Sequence, residues 1–293
     1  MLSVGEYAKA VVPHGTVGIY PDPHEICNVL GLDGVRCMIE DSKRTPLKCM
    51  FVTPSCVPAV PGFEDTGSFV GPEDVARTMQ WDEIVGLGEM MNFPGILASD
   101  DHAHGIVDAT LAADKVVTGH YSLPETGAGL NAYAASGIRC CHESTRPEDV
   151  IAKMRLGMYA QLRMGSAWQD LPVIAKALTE TGIGGRFACL VSDDTHPNTL
   201  VSHGHMDYIL RVAVDIPSGL AGDSGQVCGA AVRADYTYTL AWPKQGLFLG
   251  DAAEFIGQLR VLNIGIPVEV ADQTEIQGQL LTPDMLREKL PSR

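Results

Sequence analysis

Short β-rich runs, each ending in a polar cluster, recur along the first two-thirds of the chain. They are residues 16–20 before PDPHE, 47–52 before TPSC, 83–87 before GEMMN, 116–117 before TGHY, 138–141 before HE, 159–163 before MGS and 187–191 before SDD. Helical patterns lie between them. Thr145 and Glu148 read as a capping box with Pro147 in the first turn, ahead of an apolar stripe of Val150, Ile151, Met154 and Met158. Asp170 is expected to cap a second helix, with buried face Leu171, Ile174, Ala175 and Leu178 and closed by Gly182. Ile106, Val107, Thr110 and Leu111 mark another.

Strand, helix, strand, repeated, implies parallel pairing with right-handed crossovers. Ionisable residues gather after strand after strand, as at the C-terminal mouth of a (β/α)8 barrel. A doubly wound sheet concentrates its chemistry at one switch point, usually with a glycine-rich phosphate turn. GxGxxG and GxxxxGK[ST] are both absent. The expected fold class is therefore α/β, a TIM-like barrel over residues 1–216. From about Pro217 the chain becomes rich in glycine and alanine. Residues 217–293 are expected to form an α/β extension: a hairpin or extra sheet with Tyr236, Tyr238 and Leu240 alternating, a helix over 252–259, a strand over 261–270 and a charged tail.

The 293 residues suffice for a sizeable core, and a composition 45% hydrophobic and 19% charged is that of a globular protein. Lys+Arg 21 against Asp+Glu 36 leaves a net charge of −15, which repels phosphate backbones, so no nucleic-acid partner is expected. Neither a polybasic anchor nor a run of about 18 apolar residues is present, so no membrane partner is expected. Eight scattered cysteines without a CxxC pair read as reduced thiols of a cytoplasmic protein.

Histidine and carboxylate placement carries the chemistry. Asp22, His24 and Glu25, then Glu89, His120, His142 with Glu143, and Asp193 with Asp194 each follow a predicted strand. Converging strand ends bring such groups together, and imidazole with carboxylate is a ligand set for a divalent ion such as zinc, manganese or iron. His102-Ala-His104 opens a predicted helix, where residues i and i+2 face apart, and reads as a solvated helix start. His14, His196, His203 and His205 gain no such support. His203-Gly-His205 lies at the start of an apparent helix, so capping or surface exposure is expected there. A GxSxG elbow and the H-x-E with P-C-x-x-C deaminase signature are absent.

The blocks HGTVGIYPDPHEICNVLG (14–31), TPSCVPAVPGFEDTG (53–67), GLGEMMNFPGIL (86–97), GLNAYAASGIRCCHE (129–143) and LVSDDTHPNTLVSHGHMDYILRVA (190–213) resemble adenine deaminase of the metal-dependent amidohydrolase superfamily. The resemblance covers about residues 5 to 216. It implies hydrolytic deamination of adenine in a usually oligomeric enzyme, with a purine as the small-molecule partner. It implies two metals in the family, manganese foremost, or iron or zinc. By matching position, Glu89 would bridge the metals, His120 and His142 would ligate the second, and Asp193 the first. Asp193, Glu25 and Asp22 would be catalytic; His24, Ser166 and Glu143 would face substrate. Against that pattern the chain looks truncated, starting after the strand that carries a metal-binding HxH. Cys141 stands where aspartate is usual. The rival readings are another amidohydrolase reaction on a cyclic amide or ester, and a metal- or purine-binding remnant without turnover.

Overall fold

A computed structural model of the protein describes residues 2–181 and 183–210, and beyond these 212, 220–227, 231, 233–234, 236–240 and 243–262. The chain divides into two compact units, Met1–Leu210 and Arg211–Arg293.

The first unit is mixed α/β. Its strands are β1 (Gly18–Ile19), β2 (Lys48–Cys49), β3 (Phe51–Thr53), β4 (Ile84–Met90), β5 (Val116–Gly119), β6 (Cys140–Cys141), β7 (Tyr159–Arg163) and β8 (Ala188–Val191). β1 pairs with β2, β3 with β4 and β4 with β5, then β6 with β7 and β7 with β8, all parallel. Backbone bonds from Met50 to Ile19 and from Val52 to Pro21 carry the first pair into β3. A lone parallel bridge between Val117 and Ile138 joins β5 to β6. Spatial order thus follows chain order, as helical crossovers require. Among the described residues no ladder joins β8 to β1, so the sheets are not closed.

The helices are α1 (Val4–Val11), α2 (His24–Leu30), α3 (Leu32–Ser42), α4 (Pro72–Thr78), α5 (Phe93–Leu97), α6 (Asp101–Ala112), α7 (Ala128–Ala135), α8 (Pro147–Arg155), α9 (Leu171–Ile174), α10 (Lys176–Thr179), α11 (Pro197–His203) and α12 (Met206–Leu210). In α6 the Asp100 carboxylate accepts from the Ala103 amide at 2.8 Å, and Ala103, Ile106, Val107 and Thr110 form the buried stripe. That stripe joins Phe51 of β3, Ile84 and Leu87 of β4, Val117 of β5 and Ile39 of α3 in one continuous core.

Two helix starts differ from expectation. In α8 the reach-back belongs to Asp149, which accepts from the amides of Arg146 and Thr145 at 3.1 and 3.3 Å, so the cap sits one residue later than Thr145 and Glu148. Asp170 makes no side-chain cap for α9, because Arg163 takes its carboxylate at 3.0 Å. The expected single helix is instead split into α9 and α10; its closing Gly182 lies outside the described residues.

In the second unit, β9 (Tyr236–Leu240) and β10 (Gln258–Leu262) pair in parallel, with Tyr236 opposite Gln258. A hairpin would be antiparallel, so the extra sheet is the form observed. The helix expected over 252–259 is only a short 3-10 turn at Ala252–Glu254. Gly257, at φ 55°, takes the left-handed conformation that turns the chain out of it, and the strand begins at Gln258. Residues 263–270 of the expected strand lie outside the described residues. Leu220, Leu247 and Ala252 form a small separate core. Among the described residues no helix is long and apolar enough to cross a membrane.

Candidate metal centre

Three consecutive strand ends in the first unit deliver the central group. Glu89 is the penultimate residue of β4, His120 follows β5 and His142 follows β6. Glu89 Oε2 lies 2.6 Å from His120 Nδ1 and 2.9 Å from His142 Nε2, and the two imidazoles meet edge to face at 5.1 Å. All three side chains are half-buried. Burial alone would raise the Glu89 pKa, but the hydrogen bonds and charges of the two imidazoles outweigh it and hold the carboxyl well below its usual range. Burial likewise opposes charge on His142, and Glu89 reverses this, so its pKa is raised.

The frame around these groups is made of buried polar side chains. Tyr133 of α7 donates to the Met90 carbonyl at 2.7 Å and accepts from the His120 amide at 2.9 Å, fixing the two strand ends relative to each other. Lys153 of α8, also buried, donates to the Tyr121 carbonyl at 3.2 Å, to Ser144 Oγ at 2.9 Å and to the Glu143 carbonyl. Cys141 is fully buried on the opposite side of β6 from His142, and its sulfur accepts from the Tyr121 amide at 3.1 Å. Strand alternation therefore directs the residue before His142 into the core.

On the far side stands Asp193, whose φ of 56° places it in the left-handed region. Its Oδ2 is 3.9 Å from His142 Nε2 and accepts from Arg163 Nη1 at 2.8 Å. Arg163, the last residue of β7, had no role in the sequence reading. It is 1% exposed, also donates to Glu143, and grips Asp170 through Nη2 and Nε at 3.0 and 3.2 Å. Burial works against its charge, but these carboxylates more than offset it and raise its pKa. One guanidinium thus holds Glu143 and Asp193 together on Nη1 while its Nη2 and Nε fork onto Asp170.

Asp22, His24 and Glu25 follow β1. Asp22 Oδ2 accepts from the Glu89 amide at 2.9 Å. A Cβ on Gly88 would fall 2.0 Å from that oxygen, so only glycine admits the contact. Burial raises the Asp22 pKa, with neighbouring His24 pulling the other way. Burial would lower that of His24, but Asp22, Glu25 and Glu89 raise it to about 9. Glu25 is exposed in the first turn of α2. Ser166 Oγ donates to Thr199 Oγ1 at 2.9 Å and accepts from the His196 amide at 2.7 Å, tying the turn after β7 to the start of α11.

The remaining histidines lie elsewhere. His104 contacts the Ile96 carbonyl at 3.0 Å and His102 packs on Phe69. His205 directly precedes α12, as expected of a helix start, but is not on the surface: it is 3% exposed between Thr16 Oγ1 at 2.8 Å and Tyr7 Oη at 3.0 Å. Gly204 ends α11 at φ 95°, so His205 turns inward between α11 and α12.

Among the described residues, three sets of donor atoms lie within 4.8 Å of one another and could hold an ion: Glu89 with His120 and His142; His142 with Glu143 and Asp193; and His24 with Cys56 and Glu89. Imidazole nitrogen with carboxylate oxygen fits a divalent manganese, iron or zinc ion.

The chain is similar to adenine deaminases. The enzyme of that name from Clostridium botulinum (strain ATCC 19397 / Type A) is 73% identical over 215 residues. Those from Moorella thermoacetica and Mesorhizobium japonicum are 55% and 48% identical over 215 and 214 residues. Each alignment takes in 73% of this chain but only 35–36% of the relative, so the chain spans about a third of their length. Residues 194–246 also match a family described as YjeF-related protein N-terminus.

Proposed function

We propose that this chain belongs to a metal-dependent adenine deaminase and carries most of its catalytic groups, converting adenine and water to hypoxanthine and ammonia. The observation that supports this most is the meeting of Glu89, His120 and His142 from three successive parallel strands, within the segment similar to enzymes of that name. Parallel strands in chain order support reading the first unit as wall of a (β/α)8 barrel.

In this reading Glu89, His120 and His142 would hold the ion, with Asp193 beside them. Such an ion, when bound, would make hydroxide available at neutral pH, because coordination lowers the pKa of water from about 15.7 to about 7. Manganese or iron suits the oxygen and nitrogen donors. Asp193 takes the nucleophile's proton as addition occurs at C6 of the purine. The exocyclic amine leaves only after protonation; the proton that Asp193 took from the nucleophile supplies it, with Glu25 or Asp22 near the ring to help move it. Arg163 holds Asp193 in position. His24 and Glu143 face the base, while Ser166 secures the turn beside the Asp193 loop.

Asp193→Asn tests the assignment. It is expected to lower kcat for adenine by about 10²- to 10⁴-fold with metal still bound. Full turnover by a metal-loaded Asp193→Asn protein would remove Asp193 from the mechanism.

A further inference from the structure

Cys56 plays no part in the proposed deamination, yet its sulfur shares a small volume with His24 and Glu89. Ser55 places it there by donating its hydroxyl to the Glu89 carbonyl, which fixes the loop after β3 against the end of β4. Cys56 is buried, at 8% exposure. His24 Nδ1 lies 3.8 Å from Glu89 Oε1 and 3.7 Å from Asp22 Oδ1. His24 Nδ1 and Asp22 Oδ1 are both fully buried and lack a hydrogen-bond partner. Two orphaned polar atoms facing each other across such a gap are costly unless something lies between them.

These separations are too long for hydrogen bonds. They match the edges of a coordination shell: metal–nitrogen bonds near 2.1 Å and metal–sulfur bonds near 2.3 Å set tetrahedral donor spacings of about 3.4–3.6 Å. We propose that His24, Cys56 and Glu89 form a second cation site that takes a borderline-soft divalent ion such as zinc, iron or cobalt. Binding forms a metal–sulfur bond and releases the thiol proton to solvent. Glu89 then serves both sites, with Oε2 toward His120 and His142 and Oε1 toward His24. The assignment moves His24 from the base, where the deaminase reading put it, to a metal, and leaves Asp22 and Glu25 on the substrate side. It rests on donor geometry and not on deamination.

Cobalt(II) provides the test, since a thiolate ligand produces a sulfur-to-cobalt charge-transfer band in the near ultraviolet. Metal-free full-length chain titrated with cobalt is expected to develop the band with one equivalent attached to it. Cys56→Ser and His24→Asn should each lose the band and one equivalent of bound cobalt, whereas His142→Asn should keep the band. Saturation with cobalt without the band, or a band that survives Cys56→Ser, overturns the proposal. Should Cys56→Ser not fold, cobalt must protect Cys56 of the wild-type chain from alkylation, read by peptide mass; equal labelling with and without cobalt overturns it equally. Adenine turnover is not read in either arm, so failure of the deaminase reading leaves both results intact.

Discussion

The two sides of Glu89 are built differently. Toward β5 and β6, its Oε2 meets two imidazoles at 2.6 and 2.9 Å, close enough to hydrogen-bond without any ion. Toward β1 and β3, His24 stands 3.8 Å from Oε1, and Cys56 completes a set with no such closure. The first side is delivered by successive strand ends, whose spacing is fixed by ladder hydrogen bonds. The second comes from the first residue of α2 and a loop, held by the Asp22 contact on the Glu89 amide and the Ser55 contact on its carbonyl. Ladder-borne groups close on one another; loop-borne groups remain spaced for a ligand.

Removing what the two sides share has the largest expected effect. Glu89→Gln should lower adenine turnover on the order of 10³-fold or more and reduce metal bound on both sides, measured by elemental analysis with steady-state kinetics. Unequal loss would show that the sides are independent. Next in size is Arg163→Leu, which strands Glu143, Asp170 and Asp193 around a removed cation. Breaking a buried ion network in this way costs about 3–5 kcal/mol, readable from urea unfolding. Arg163→Lys should recover only part, because an ammonium cannot present the planar fork.

Gly88→Ala sharpens the contrast. Its new methyl collides with Asp22 Oδ2, so about 1–3 kcal/mol of stability should be lost through strain. Metal affinity on the His24 side should fall more than on the His142 side.

The smallest effect is one of pH, and it lies away from the centre. Burial outweighs neighbouring Asp207 and lowers the His205 pKa, so below about pH 6.5 the unfolded chain binds the proton more readily than the folded one. The stabilising contribution is present above about pH 6.5 and is lost as pH falls through the lowered folded value. Urea midpoints of metal-free protein between pH 7 and 5 should drop for wild type, and less steeply for His205→Asn.

Much of this was legible because strand periodicity is local. Runs of β-branched residues ending in His or Glu marked Glu89, His120 and His142, and the strands fell close to where the pattern put them. Arg163 escaped because its significance lies in residues 143, 170 and 193, which only the parallel β6–β7–β8 arrangement brings to it. Its one local signal was an arginine ending a β-strand at the position before the polar turn. Cys56 stood in a noted motif but without a role, since a loop thiol has no periodicity to show what it faces. Asp170 was read as a helix cap because nearest-neighbour chemistry favours that use, and a buried guanidinium overrode it. In the second unit, Gly257 ended the apolar stretch that had read as a helix.

The most direct test is metal content and turnover in one sample. Chain purified with manganese present should hold at least one divalent ion per chain and form hypoxanthine and ammonia from adenine. Activity should vanish on chelation and return with metal. Protein that binds no metal under saturating manganese, or that deaminates adenine equally well without it, would contradict the account.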